Sequence, residues 1–236
     1  MTIKSKSSYG IILTTKDKNN DYKFLMVQRR FTYAFFDIVY AKYRLEHVIE
    51  LLRQVTMDEL LILYSFNFDS AWFKVWVKNG QSYEYYKERY TSMYLGDNLA
   101  KYKAIIDSVI PNGKLIWEIP KGRKGQYEYD IEAAVREIEE ETFIRRCQYH
   151  ILPNTTKTMI YINEGVRYVN KYWFAVADSI DVLIPTTLAI NYHSEIQSCR
   201  FMSFNELHHA NVHRNVIKFL KTAKTLVKKY NSAADN

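Results

Sequence analysis

The chain has 236 residues, of which 47% are apolar, 25% charged and 15% aromatic, with 7 Gly and 4 Pro. These fractions exclude a disordered, collagen-like or linker-rich chain, and the length suits one large domain or two small ones. The formal charge of +7 leans toward an anionic partner without naming one.

In chain order, YGIILTT (9–15) predicts a strand, KDKNNDY a polar turn and KFLMVQRR (23–30) a second strand, together a hairpin. From about residue 37 the pattern turns helical, with Leu45, Val48, Ile49, Leu52 and Val55 at three- and four-residue steps. Thr56-Met57-Asp58-Glu59 has the form of a helix start, ahead of LLILY. The stretch from Asp69 to Tyr94 carries Trp72, Trp76, Tyr83, Tyr86, Tyr90 and Tyr94, whose spacing predicts a buried seam, with base stacking as the alternative. A short helix is expected over 97–109, and Pro111-Asn112-Gly113 ends the block.

Strands return at KLIWEI (114–119), a helix runs from Asp130 to Glu141, and strands are expected at 157–162, 167–177 and 197–203. Turns fall at Asn163-Glu164-Gly165 and around Pro185, and one last helix covers 205–230. A hairpin is marginal without a partner sheet, so the order predicts an α+β domain from residues 1–36 and 113–236, interrupted by an all-helical insertion over 37–112.

No stretch reaches the roughly 18 apolar residues of a membrane-spanning helix, and MTIKSKSSYG lacks the apolar core of a secretory signal. Cys147 and Cys199 have no metal-type spacing, so a reducing, cytoplasmic setting is expected, with one buried disulfide as the alternative. The charge is uneven. Residues 1–35 hold seven Lys or Arg against two Asp, 36–112 hold nine against ten acids, and 199–236 hold seven against two.

The segment WEIPKGRKGQYEYDIEAAVREIEEETFI (117–144) is the most informative. Glu137, Glu140 and Glu141 fall at i, i+3 and i+4 and share one helix face, where like charges destabilise an isolated helix. A divalent cation with oxygen ligands, Mg²⁺ or Mn²⁺, would relieve that repulsion; the alternative is a solvated acidic face. Gly122, Glu128, Arg136, Glu137, Ile138, Glu140, Glu141 and Ile144 match the spaced signature of the Nudix hydrolases, which the chain resembles; Phe143 stands where that family has glycine. The resemblance implies a mixed sheet sandwiched by helices, an α/β/α arrangement, and cleavage of a pyrophosphate by water. It implies metal ligation by Glu137, Glu140 and Glu141, with one of them or a further carboxylate as base. Glu128 and Arg136 are read as an ion pair that fixes the loop on the helix.

The run WEIPKGR, the hairpin ending in VQRR, FTYAFFDIVYAKY, FDSAWFKVWV and ILPNTTKTMIY are similar to the mRNA-decapping Nudix enzymes of large DNA viruses, of the African swine fever virus type and more distantly the poxvirus type. This resemblance implies capped RNA as substrate, with methylated GDP and 5′-monophosphate RNA as products, in the host cytoplasm. Diphosphoinositol or dinucleotide polyphosphates are the alternative substrates, and a catalytically silent RNA-binding module is a second alternative. It also implies Glu164 as a further metal ligand and Glu195 as a base or ligand. Lys121 and Arg123 would set positive charge beside a polyphosphate. On the last helix, Lys218, Lys221, Lys224 and Lys228 stand opposite the apolar row Val216, Leu220, Ala223, Val227 and Tyr230, where they would neutralise RNA phosphates or simply be solvated.

Overall fold

A computed structural model describes residues 4–76, 80, 82–163, 165–177 and 195–234, with side chains as far as residue 227. Glu164, the turn around Pro185 and the side chains of Lys228 and Tyr230 lie outside the described parts. The elements in order are strands β1 (Ser5–Lys16) and β2 (Tyr22–Arg29) and helices α1 (Tyr33–Val39), α2 (Val48–Gln54), α3 (Met57–Leu63), α4 (Phe68–Val75), α5 (Tyr83–Tyr94) and α6 (Leu99–Ser108). Short strands β3 (Trp117–Glu118) and β4 (Lys121–Gly122) then lead to helix α7 (Asp130–Thr142). Strands β5 (Tyr149–Asn163), β6 (Val166–Ala177) and β7 (Ile196–Met202) and helices α8 (Phe204–His209) and α9 (Arg214–Ala234) follow.

The chain divides into two compact units. The first comprises the described residues of 4–28, 117–177 and 196–234, and the second Arg29–Ile116 with Glu195.

The first unit is built on one mixed sheet in the order β3-β2-β1-β6-β5, with β4 paired to β1 and β7 to β2. Strand β1 runs parallel to β6 from Ser5 to Thr14, and antiparallel to β4 at Tyr9–Gly10 and to β2 at Thr14–Lys16. The edge of β1 is therefore shared, and the motif segment enters where β2 diverges. Gly10 permits this entry, because a Cβ there would sit 2.2 Å from the Pro120 carbonyl oxygen.

The run Gly10–Thr15 is buried throughout because both faces of β1 are covered. Alternation sends Ile11 and Leu13 to one face with Leu25, Ala134, Ile138 and Ala175, beneath α7. Ile12 goes to the other, with Phe24, Met26, Phe174, Leu207, Leu220 and Val227, beneath α8 and α9. This is the α/β/α sandwich of an α+β fold.

The second unit has its own core, including Phe35, Ile38, Leu52, Leu63, Trp72, Tyr90, Tyr94 and Tyr102. The aromatic seam packs inward: Tyr94 stacks on Tyr102 with centroids 5.1 Å apart, and Tyr90 meets Tyr94 edge-on at 5.2 Å. Thr56 caps α3 as its sequence indicates, accepting from the Glu59 N–H.

Several boundaries differ from the sequence expectation. The first helix starts at Tyr33 because Thr32 is its N-cap, its Oγ1 accepting from the Phe35 N–H at 3.1 Å. The strand expected at 114–119 is confined to Trp117–Glu118, as Pro120 has no N–H to continue the ladder. Strand β5 begins at Tyr149, well before 157, because an irregularity between Ile151 and Thr156, with Asn154 at φ 55°, breaks the alternation of its sequence. The last helix is two helices. Between them the Asn211 carbonyl accepts from the Trp117 N–H at 2.9 Å, and Val212 bridges Trp117, so tertiary pairing replaces a turn of helix. Cys147 is exposed and Cys199 buried, and both are free thiols.

Candidate active site

Helix α7 carries the acidic residues on a scaffold fixed at both ends. Glu132 accepts from the Tyr129 N–H at 2.9 Å, and the acids of the first turn suit the positive end of the helix. Ala133, Ala134, Ile138 and Thr142 are buried, which anchors the helix and leaves Glu137, Glu140 and Glu141 on the flank. At the other end Phe143 adopts the left-handed conformation, φ 60° and ψ 10°, in the place where a glycine fits without strain. Its N–H donates to the Glu139 carbonyl at 2.8 Å, so the helix closes as a glycine would close it, at the cost of side-chain crowding.

Arg136 is the hub of the motif. Its Nε and Nη2 donate to the two oxygens of Glu128 at 2.9 and 3.1 Å, and Nη2 also donates to the Arg123 carbonyl at 2.9 Å. Its Nη1 reaches Glu137 at 2.7 Å and Glu140 at 2.9 Å. Glu128 in turn accepts from the Gly125 N–H at 2.9 Å. One guanidinium thus ties the loop over 123–128 to the helix and holds two acidic side chains in place. The Glu137 carboxylate has room because Gly122 has no side chain: a Cβ there would stand 2.0 Å from the Glu137 Cδ.

Glu141 differs. Its carboxylate is enclosed among protein atoms and accepts from the Lys121 N–H at 3.1 Å. Burial, with the nearby charges of Glu137 and Glu118, pushes its carboxyl up to about 8, against the opposing pull of Lys121. Lys121 is bound side chain to side chain with Glu118, and both are largely withdrawn from solvent. Glu118, Glu137 and Glu141 thus lie within electrostatic reach of one another with Lys121 beside them, and their hard oxygens are of the kind a divalent cation takes. Among the described residues no three acids, histidines or cysteines are disposed as a ready-made ligand set, since Arg136 and Lys121 occupy several of their oxygens.

The structure thus brings together Lys121, Gly122, Glu128, Arg136, Glu137, Glu140 and Glu141. Arg123 is exposed and contributes its carbonyl to Arg136. An open groove of about 710 Å³ runs along α7, lined by Glu128, Arg136, Glu139, Glu140, Arg146 and Ile151 among others. Lys218 and Lys221 are exposed on α9, while Lys224 lies over the rings of Tyr22 and Phe204. Glu195 belongs to the helical unit, where its carboxylate pairs with Arg29 at 3.4 Å and its carbonyl accepts from the Arg30 N–H. Glu118 is not among the residues the sequence singles out: it stands three residues before Lys121 in WEIPKGR, but a carboxylate in a strand gives no sign of what it faces.

The NUDIX domain profile matches residues 106–222. The mRNA-decapping protein g5R of African swine fever virus (isolate Warthog/Namibia/Wart80/1980) is 33% identical over 180 residues, covering 72% of this chain and 73% of that protein. This chain belongs to the Nudix family. This Nudix protein is equally similar to g5R of the Badajoz 1971 Vero-adapted strain, 33% identical and covering 72% of each. Among solved structures, a Caenorhabditis elegans Ap4A hydrolase binary complex aligns over 94% of the chain and 98% of its own, with 14% identity and a TM-score of 0.49. Nudix proteins generally work with divalent metal ions, in keeping with the oxygen-rich flank of α7. No described helix of this Nudix hydrolase is long and apolar enough to cross a membrane.

Proposed function

We propose that this Nudix hydrolase removes the 5′ cap from mRNA, releasing methylated GDP and 5′-monophosphate RNA. The observation that carries the reading is the Arg136-ordered carboxylate flank of α7 with Lys121 beside it, in a chain 33% identical to viral mRNA-decapping proteins. Such a substrate places the reaction in the cytoplasm of an infected cell.

The chemistry is built from the chain's own groups. Arg136 holds Glu137 and Glu140 on one flank of α7, which limits how far they must move to act together. Lys121 supplies positive charge next to these acids, where bridging phosphates would lie. Burial and the neighbouring acids Glu137 and Glu118 raise the affinity of Glu141 for a proton, which suits a carboxylate that takes one from water. Mg²⁺ or Mn²⁺, held by Glu137, Glu140 and Glu141, would supply further charge neutralisation for the phosphates. The exposed Lys218 and Lys221 of α9 support contact with a longer polyanion.

Inositol pyrophosphates and dinucleotide polyphosphates share the scissile linkage, so the test compares them directly. Purified protein is incubated with cap-labelled RNA and with a diphosphoinositol polyphosphate, beside a Glu140→Gln control. Release of methylated GDP by the wild type and not by the control is expected. Turnover of the inositol compound alone would overturn the reading. Turnover of neither, with RNA binding intact, would assign the chain as a binding module.

A further inference from the structure

Strands β1, β6 and β5 extend past the helices that cover the sheet. Three side chains stand in one cross-strand row there, since Lys6 pairs in register with Tyr168 and Tyr168 with Tyr161. Residues opposed in register project from the same face. The rings of Tyr161 and Tyr168 are nearly parallel, 9° apart with centroids 5.1 Å apart, and the Lys6 ammonium lies 5.7 Å over Tyr168. Tyr161 is 38% exposed. Two rows further in, Tyr172 is buried and packs against Phe219 of α9, so the platform begins where the helix cover ends.

Strands β1, β5 and β6 contain no Asp or Glu. Lys6 stands in the row and Arg167 next to Tyr168, while Lys171 is paired with Asp130 at 3.3 Å and Glu164 follows β5 in the sequence. An exposed phenol ring alone would suit many apolar partners. An exposed ring backed by a half-buried one, with Lys6 and Arg167 at hand, suits a ligand that has both flat π-faces and a polyanionic backbone. Single-stranded nucleic acid has both, because its unpaired bases stack on aromatic side chains while its phosphates meet Lys and Arg. An inositol pyrophosphate has no face to stack.

We propose that Tyr161, backed by Tyr168 and Lys6, forms a stacking platform that binds a base of the single-stranded RNA body. The inference rests on the RNA reading above and adds to it a site on the first unit, away from the carboxylates of α7. The platform would hold RNA without choosing its sequence, because every base offers a π-face.

The test is fluorescence anisotropy with a labelled, uncapped single-stranded RNA and the full-length chain. Tyr161→Ala is expected to weaken binding roughly fivefold to a hundredfold, the loss of one stacked base, and Tyr168→Ala to weaken it severalfold through the lost support of the Tyr161 ring. Tyr161→Trp is expected to restore or tighten it. Turnover of a methylated cap dinucleotide, which has no RNA body, is expected to stay at the wild-type rate in all three. In parallel, ultraviolet crosslinking of 5-bromouridine RNA to the wild-type chain is expected to label the peptides holding Tyr161 or Tyr168; this arm needs no variant to fold. RNA affinity within twofold of wild type in both alanine variants, or crosslinks confined to other peptides, would overturn the platform. The two readings fail separately: capped RNA hydrolysed with binding indifferent to these tyrosines removes the platform alone. Binding that depends on them without any cap release removes the decapping reading alone.

Discussion

Glu59 of the helical unit and Glu141 of the first unit both have their carboxyls raised by burial, and the two are handled in opposite ways. In the helical unit Glu59 is 2% exposed, and its oxygens accept from the Thr32 N–H, the Thr32 hydroxyl and the Thr56 N–H at 2.5 to 2.8 Å. It joins the N-termini of α1 and α3, and although burial raises its pKa, every one of those donors pulls it back. In the first unit Glu141 has a backbone N–H and a nearby lysine, but Glu137 and Glu118 oppose its ionisation. A buried carboxylate surrounded by donors is a structural joint. One surrounded by other carboxylates stores electrostatic free energy that a bound cation can release.

This contrast can be broken by substitution. The largest effect is expected on the first unit's chemistry: Glu137→Gln should lower hydrolysis by at least about a hundredfold with little change in thermal stability, because relief of the repulsion with Glu141 offsets the lost ion pair with Arg136. Equal losses of activity and stability would show the flank to be structural. Gly122→Ala should follow Glu137→Gln in rate, since its methyl group displaces the Glu137 carboxylate; steady-state kinetics with circular dichroism separate this from unfolding.

The second effect is thermodynamic and belongs to the helical unit. Glu59→Ala leaves three donors without their acceptor and should destabilise the protein by about 3 kcal/mol in urea unfolding. A loss below about 0.5 kcal/mol would mean that the joint contributes little.

The third reads the sign of the stored repulsion. Glu141 has a folded pKa raised from 4.5 to about 8, so its favourable contribution is full below pH 4.5 and is lost as pH rises through 8. In chelator-treated protein, stability should therefore fall across that window, and Glu141→Gln should flatten the fall. A pH profile that Glu141→Gln leaves unaltered would show that the carboxyl is not the group responsible.

The smallest effect compares two left-handed phenylalanines. Phe66 of the helical unit, at φ 50°, packs edge-on against Tyr102 and lies under Lys103. Phe143 at the end of α7 is 42% exposed. Phe143→Gly should stabilise by about 0.5–1 kcal/mol, because strain is relieved and little burial is lost. Phe66→Gly should give no such gain, since its ring contacts go with it. Differential scanning fluorimetry of the pair decides whether packing holds Phe66 in its strained conformation.

The sequence by itself determined the elements whose information is local. The hairpin, the capping box at Thr56, the helix from Asp130 and the spacing that puts Glu137, Glu140 and Glu141 on one face all follow from turn chemistry and helix period. It also determined the family, because Gly122, Glu128, Arg136 and the three glutamates keep a fixed spacing. Tertiary structure decided the rest, where the cause is a partner distant in the chain. Trp117 and Asn211 pair across the sheet edge and split the last helix. Glu118 turns toward Lys121 and Glu141 only once the loop crosses Gly10. Glu195 joins Arg29, 166 residues away, in the helical unit. Tyr161, Tyr168 and Lys6 become one row only through the register of three strands. Local periodicity fixes which face a residue takes on its own element, whereas what that face meets is set by contacts that no short window of sequence contains.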